Sequence, residues 1–257
     1  MTTRELTDLL IAGRNADGGW AYYQKNEYDR AIADYNKQIE MSPRHQMAYN
    51  NRGVAYARKD QHDRAIADYT KQIEISPRHD HAYRNRGNAY MSTEQYDPAI
   101  ADHTKQIEIS PRHDHAYSNR GIVKFYKGEF KGAAADLLRA IELRDNAYSM
   151  LFRYLARARA GEVAAPELEA NATRLQSKDW PYAAAELLTD KRSPEATLPV
   201  AGKPDEVCEA HFYIGEWHLL RDDKSAATAS LKFAVDTCSR HLVEYRAAVE
   251  ELKRLNP

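Results

Sequence analysis

The chain has almost no net charge, no long apolar run and little of the chemistry that marks an enzyme or a metalloprotein. Across 257 residues, 37 Lys and Arg stand against 38 Asp and Glu, for a formal net charge of −1. Such a balance supplies no basic field for nucleic acid, where phosphate neutralisation dominates affinity, and no polybasic patch for anionic lipid. No apolar run approaches the ~18–20 residues needed to cross a bilayer. The first residues, MTTRELTDLLIAGRN, lack a positive region followed by a continuous apolar stretch of ~7 or more, so no secretory signal is expected. As it stands the chain reads as cytoplasmic, or as periplasmic if a leader has been removed. There is no Gly-rich phosphate loop and no one-off set of nucleophile, base and stabiliser. Neither enzymatic activity nor a cofactor or metal site is therefore expected. The two cysteines, Cys208 and Cys238, sit in no context that marks a reactive thiol.

What is present is a repeat. Hydrophobic residues at 43% and charged residues at 29% suit a folded chain rather than a disordered one. Residues 69–87 read YTKQIEISPRHDHAYRNRG and residues 103–121 read HTKQIEISPRHDHAYSNRG, an offset of 34. Pro43, Pro77 and Pro111 share that offset, as do Gly19, Gly53, Gly87 and Gly121, and Ala31, Ala65, Ala99 and Ala133. A fixed period in this range marks an array of stacked supersecondary units.

Each unit resolves into two helices. Tyr49, Gly53 and Tyr56 recur at the spacing of one helical face, Lys59-Asp60-Gln61 interrupts it, and Ala65, Ile66, Tyr69 and Ile73 resume it. The second helix must end near Ser76, because Pro77 disfavours helical geometry in the residue before it. Gly53 and Ala65 fall where two antiparallel helices approach closely. One such hairpin cannot bury its apolar face alone, so stacking supplies the core. The first unit is weaker. Asp17-Gly18-Gly19 is a poor helix interior, since each Gly costs about 1 kcal/mol relative to Ala, so its first helix is expected to be short. Ahead of it, Leu6, Leu9, Leu10 and Ile11 form an apolar cluster at helical spacing.

Tyr49-x3-Gly53-x2-Tyr56, followed by Ala65, Tyr69 and Pro77, resembles the tetratricopeptide repeat pattern. Tyr83, Gly87, Tyr90, Ala99 and Pro111 repeat it, and so do Tyr117, Gly121, Ala133, Leu137 and Ala140. The resemblance implies an all-α fold, a right-handed α-α superhelix of stacked helical hairpins. Its first helices would line a concave groove that binds a peptide or helix of a partner protein. Mapped onto this chain, the groove-facing residues are Asn50, Val54, Ala57, Arg84, Asn88, Met91, Asn119, Ile122 and Phe125. In the version of this groove that clamps a C-terminal carboxylate, Arg84, Asn88, Asn119 and Arg153 would take part, although Ser149 occupies one position where that clamp uses Lys. Against it, Asn51, Asn85 and Asn119 recur in every unit and read as residues that bond backbone between helices.

Other recurring polar residues leave two readings each. Gln38, Gln72 and Gln106 stand where the family has a small residue, and would either loosen the packing or add an inter-helix hydrogen bond. His45, His79-Asp80-His81 and His113-Asp114-His115 contain zinc-ligand chemistry. Yet they sit in the copied segment at the helix junctions, where duplication alone explains them as solvated helix-start residues.

The period organises residues 1–147 and lapses over 148–207. There, Tyr148 to Leu155 reads as an amphipathic helix ending at Gly161, with Pro166–Leu175 as its partner. Trp180-Pro181 opens a further helix through Leu188, and Pro194, Pro199, Gly202 and Pro204 make a turn-rich connection. This region is either a partner-specific insertion or an irregular connector, and its Arg153 and Arg157 read as a solvated face. Over 208–257 the period returns with His211, Gly215, His218, Ala227, Leu231 and Ala234, followed by a capping helix. That helix has Leu242, Tyr245, Val249 and Leu252 as its apolar stripe and Glu244, Arg246, Glu250, Glu251, Lys253 and Arg254 on the other side. Cys208 and Cys238 fall at the same end of the last hairpin, where they form either a disulfide or two small buried groups.

Trp180-Pro181, CEAHFYIGE at 208–216, Ala226-Ala227, Phe233-Ala234-Val235 and Leu242-Val243-Glu244-Tyr245 are similar to the C-terminal part of the new-lipoprotein-I group of bacterial envelope proteins. That resemblance implies a dimeric periplasmic adaptor that brings cell-wall hydrolases to a protease. The broader expectation is a non-catalytic scaffold with a protein or peptide partner.

Overall fold

The structure is a computed structural model that describes residues 19–175 and 178–256. The described residues are helical with no strand, in the all-α solenoid class expected from the repeat. The cluster at Leu6, Leu9, Leu10 and Ile11 lies outside the described residues. The chain divides into two compact units, residues 1–111 and 112–257.

In the first unit α1 covers residues 19–24, followed by α2 (Tyr28–Met41), α3 (Gln46–Arg58), α4 (His62–Ile75), α5 (Asp80–Ser92) and α6 (Tyr96–Ile109). Helices α3 and α4 pair closely, as do α5 and α6, and α4 stacks on α5. Each hairpin turn places one residue in the left-handed region: Asn26 at φ 60°, Asp60 at 56° and Glu94 at 61°. Each second helix stops as Pro43 and Pro77 require, with Ser42 and Ser76 donating their N–H to Gln38 and Gln72 at 2.8 and 2.9 Å. Tyr83 then donates to the Pro77 carbonyl at 3.1 Å, fastening the next helix to that corner.

The glycines allow the helices to close. A Cβ on Gly53 would lie 2.7 Å from the Tyr69 ring, and one on Gly87 2.9 Å from the His103 ring. Alanines fill the rest of the interface, with Ala65 and Ala89 packed around Tyr69 and Val54 and Ala57 against them.

The second unit contains α7 (Asp114–Lys127), α8 (Phe130–Leu143), α9 (Ala147–Arg159), α10 (Ala165–Ala172), α11 (Tyr182–Leu188), α12 (Pro194–Thr197), a 3-10 turn (Leu198–Val200), α13 (Pro204–Leu219), α14 (Lys224–Thr237) and α15 (Val243–Leu255). Gly121 faces Leu137 and Gly215 faces Leu231, so the last hairpin reproduces the close approach of the repeats. A disulfide joins Cys208 to Cys238 across that hairpin, Cα to Cα 5.1 Å. Phe125 of α7, Phe152 of α9 and Phe212 and Tyr213 of α13 meet as an aromatic core, with centroids 5.1–6.5 Å apart.

Helix α15 packs on α14 and α13 and returns to α7. The Arg254 guanidinium donates to the Phe125 and Tyr126 carbonyls, and the Tyr126 hydroxyl donates to the Val243 carbonyl at 2.8 Å. Here the structure corrects the sequence reading. The deeply buried side of α15 contains Glu244, Ala247, Ala248 and Glu251, whereas Tyr245, Val249 and Leu252 are only half-buried. The acids are tolerated inside because each has a partner: Tyr213 donates to Glu244 at 2.9 Å, and Arg159 donates to Glu251 at 2.7 Å.

Candidate functional site

The most regular side-chain chemistry in the chain is a staple built on the residue before Gly53, Gly87 and Gly121. Arg52 on α3 grips Asp68 on α4 through Nε and Nη2 at 2.8 and 2.6 Å, and its Nη1 reaches Asn36 on α2 at 2.7 Å. One period later Arg86 grips Asp102 at 2.8 and 2.8 Å and reaches Thr70 at 3.0 Å. In the second unit Arg120 grips Asp136 at 2.8 and 2.6 Å, with Lys124 adding a bond at 2.7 Å. A planar guanidinium suits this two-pronged grip on a carboxylate. Arg52 also lies over the rings of Tyr49 and Tyr56, and Arg86 over Tyr83 and Tyr90, at 5.6–5.9 Å. Burial pushes the Asp68 carboxyl above its ordinary value, against the Arg52 bonds that pull it down. These residues tie the helices of the array together.

The expected groove residues of the first unit are placed on one face of α3 and α5. Asn50, Val54 and Ala57 on α3 lie one period before Arg84, Asn88 and Met91 on α5, and all six are half-buried. The face is pinned by a side-chain ladder in which Asn85 donates to Asn50 and Asn50 to Asn51, each at 3.0 Å. The recurring Asn51 and Asn85 thus bond the side chain of Asn50 where backbone bonds were expected. No described carboxylate pairs with Arg84, which contrasts with the stapled Arg86 two positions on.

In the second unit the corresponding residues have other surroundings. Ile122 and Phe125 are buried in its core, Phe125 completely. Arg153 is held by Glu167 at 2.5 and 3.1 Å and by the Ala134 carbonyl, and Arg157 is paired with Glu162 and Glu167. The solvated basic face expected there is instead an ion-paired seam between α9 and α10. Asn119 is half-buried on α7.

The copied histidines start helices. The His45 ring accepts the Ala48 N–H at 3.0 Å as a cap, and the His79 ring lies 3.4 Å from the Gln72 amide. Among the described residues no three His, Cys, Asp or Glu side chains are grouped to hold a metal. Gln72 therefore realises the inter-element bond considered for it. Gln38, Gln72 and Gln106 are nevertheless buried, each with one amide atom unbonded.

The second unit also encloses four acids, Glu209, Glu216, Glu244 and Glu251, which the sequence reading did not place inside. Glu209 accepts from the Trp180 indole at 2.7 Å and the Tyr148 hydroxyl at 3.0 Å. Burial, reinforced by Glu209, raises the Glu244 carboxyl to about 8. Burial, reinforced by Glu251, raises Glu216 to about 8 even with Arg159 beside it.

Two segments, residues 17–77 and 80–113, match tetratricopeptide repeat family profiles. No curated protein matches the chain in sequence. Among solved structures the chain is similar to a tetratricopeptide repeat protein from Parabacteroides merdae ATCC 43184, at 14% identity and a TM-score of 0.70, covering 96% of this chain and 100% of that one. It is also similar to pilF of Pseudomonas aeruginosa, at 13% identity and 0.56 over 93% and 96%. YrrB, a tetratricopeptide repeat protein with an unusual peptide-binding site, is similar at 20% identity and 0.50 over 85% and 97%. With its period of 34, its stacked hairpins and these matches, the chain carries tetratricopeptide repeats over residues 17–77 and 80–113 and shares the helical fold of tetratricopeptide repeat proteins, which supports a scaffold for protein–protein interaction.

Proposed function

We propose that the chain is a non-catalytic scaffold that holds a peptide or helix of a partner protein on the α3–α5 face of its first unit. The observation that carries this reading is Arg84. A half-buried guanidinium without a carboxylate is costly to keep, whereas Arg52 and Arg86 on the same two helices each grip an aspartate. A partner that supplies an acceptor there would relieve that cost, and Val54, Ala57 and Met91 would contribute apolar contact. The peptide-binding site of YrrB, a protein of similar fold, is consistent with it. A photo-crosslinking phenylalanine in place of Val54 should capture the partner in native extract, whereas the same group in place of exposed Lys71 on α4 should not. Equal capture at both positions would refute this face as the site.

A second reading, an envelope adaptor, is favoured by the Cys208–Cys238 disulfide. Such bonds persist in oxidising compartments and are rare in a reducing cytosol. Alkylation and intact mass of protein from its native cell fraction would decide it. Two blocked thiols support the envelope role, and two free thiols contradict it.

A further inference from the structure

Helices α13 and α15 meet through acids as well as apolar side chains. Glu209 and Glu216 lie two turns apart on α13, and Glu244 and Glu251 two turns apart on α15. All four are buried. Glu216 and Glu251 share Arg159, whose Nη1 donates to them at 3.4 and 2.7 Å, and Arg254 also bonds Glu251. In that pair two guanidinium groups stand against two carboxyls.

The pair of Glu209 and Glu244 has no such compensation. The Trp180 indole and the Tyr148 hydroxyl donate to Glu209 at 2.7 and 3.0 Å, and the Tyr213 hydroxyl donates to Glu244 at 2.9 Å. The Trp180 and Tyr213 rings lie side by side, centroids 6.4 Å apart, which joins both carboxyls in one cluster. The elements around the first turn of α15 bring only neutral or acidic groups to it. Helix α13 brings Glu209 and Tyr213, with Asp205 and Glu206 near Glu209, and α9 brings Tyr148. Helix α7 brings the Tyr126 hydroxyl, bonded to the Val243 carbonyl, and the end of α14 brings Cys238, held in its disulfide. Arg246 of α15 lies over Tyr245, and Arg240 and His241 in the preceding turn are exposed. Among the described residues no Lys, Arg or His bonds Glu209 or Glu244. Two carboxyls enclosed with neutral donors cannot both be charged at low cost, so the cluster keeps a proton. Burial and Glu209 oppose a charge on Glu244 more than the α15 N-terminus and the Tyr213 bond favour one.

We infer that α15 is a pH-operated latch, docked on α13 and α7 while this cluster holds its proton and released ahead of the rest of the unit when the proton leaves. Ionisation drives release because a second enclosed carboxylate regains water only by leaving the pocket. The turn at residues 239–242 serves as the hinge, and release frees the Tyr126 and Tyr213 hydroxyls. An acidic medium closes the unit and an alkaline one opens it.

Hydrogen exchange of the full chain tests this, read by mass spectrometry at pH 5.5, 6.5 and 7.5 with labelling times scaled to the intrinsic rate at each pH. These values lie between the ordinary glutamate range and the value of about 8 to which Glu244 is raised. One proton lost on release lowers the protection of residues 243–255 about tenfold per pH unit there, while peptides from α7 and α8 keep theirs. Glu244→Gln keeps an acceptor for Tyr213 and removes the titration, so its α15 should hold one protection at all three pH values. If that variant leaves α15 unprotected throughout, Glu209→Gln decides, because removing the facing charge should shrink the fall between pH 6.5 and 7.5. Constant protection of α15 in the wild type, a fall shared equally by α7 and α8, a fall that persists in Glu244→Gln, or one undiminished in Glu209→Gln would each overturn the inference.

Discussion

Arg52 and Asp68 face each other across one hairpin in a two-pronged bond, and the same guanidinium reaches back to Asn36 in the hairpin before. One side chain therefore closes its own repeat and fixes its stacking on the one before. Breaking a buried pair leaves a charge uncompensated, at a cost of about 3–5 kcal/mol. Asp68→Ala should lower the urea stability of the chain by about that much, whereas Lys71→Ala, at an exposed pair on the same helix, should leave it unchanged. A similar small effect for both would show that the staple does not hold the array.

The close approach at Gly215 gives a second prediction. A Cβ there would meet Leu231 at 2.7 Å, so Gly215→Leu should destabilise by about 1–3 kcal/mol through overpacking. An unchanged denaturation midpoint would refute the α13–α14 pairing.

The hairpin turns supply their own control. Asn26, Asp60 and Glu94 hold a positive φ that the fourth repeat gives to Gly128, at φ 80°. Left-handed geometry costs a residue with a Cβ about 1–2 kcal/mol, less for Asn and Asp. Glu94→Gly should accordingly raise the melting temperature, and Gly128→Glu should lower it. If Glu94→Gly lowers it, the turn is not strained at Glu94.

The buried acids of the second unit predict a pH dependence. Glu216 and Glu244 titrate near 4.5 in the unfolded chain and near 8 when folded, so between those values only the folded state holds the protons. Unfolding then releases protons, and stability falls as pH rises from about 4.5 through about 8. Urea midpoints should drop from pH 5 to pH 9, and Glu244→Gln should flatten the drop. A midpoint that is constant or rises over this window would contradict the buried, protonated state.

How much of this was legible beforehand depended on distance along the chain. The hairpins could be read because Tyr49, Gly53, Tyr56 and Pro77 are local signals repeated at one spacing. The staple also recurs at a fixed offset, since Arg52 and Asp68 are as far apart as Gly53 and Tyr69, but an Arg and an Asp on amphipathic helices look the same in sequence whether solvated or paired. Helix α15 was misread for a different reason. Its amphipathic pattern points Tyr245, Val249 and Leu252 inward, while the partners that draw Glu244 and Glu251 inside, Tyr213 and Arg159, lie 31 and 92 residues away. No local pattern reports such pairs.

The central claim is that the α3–α5 face of the first unit is where a partner binds. Its most direct test is a quantitative pull-down from native extract comparing wild type with Arg84→Ala/Asn88→Ala, alongside thermal melts of both proteins. Loss of the partner at an unchanged melting temperature is the predicted result. Full retention of the partner, or a loss matched by an equal loss of fold, would contradict it and make these residues structural.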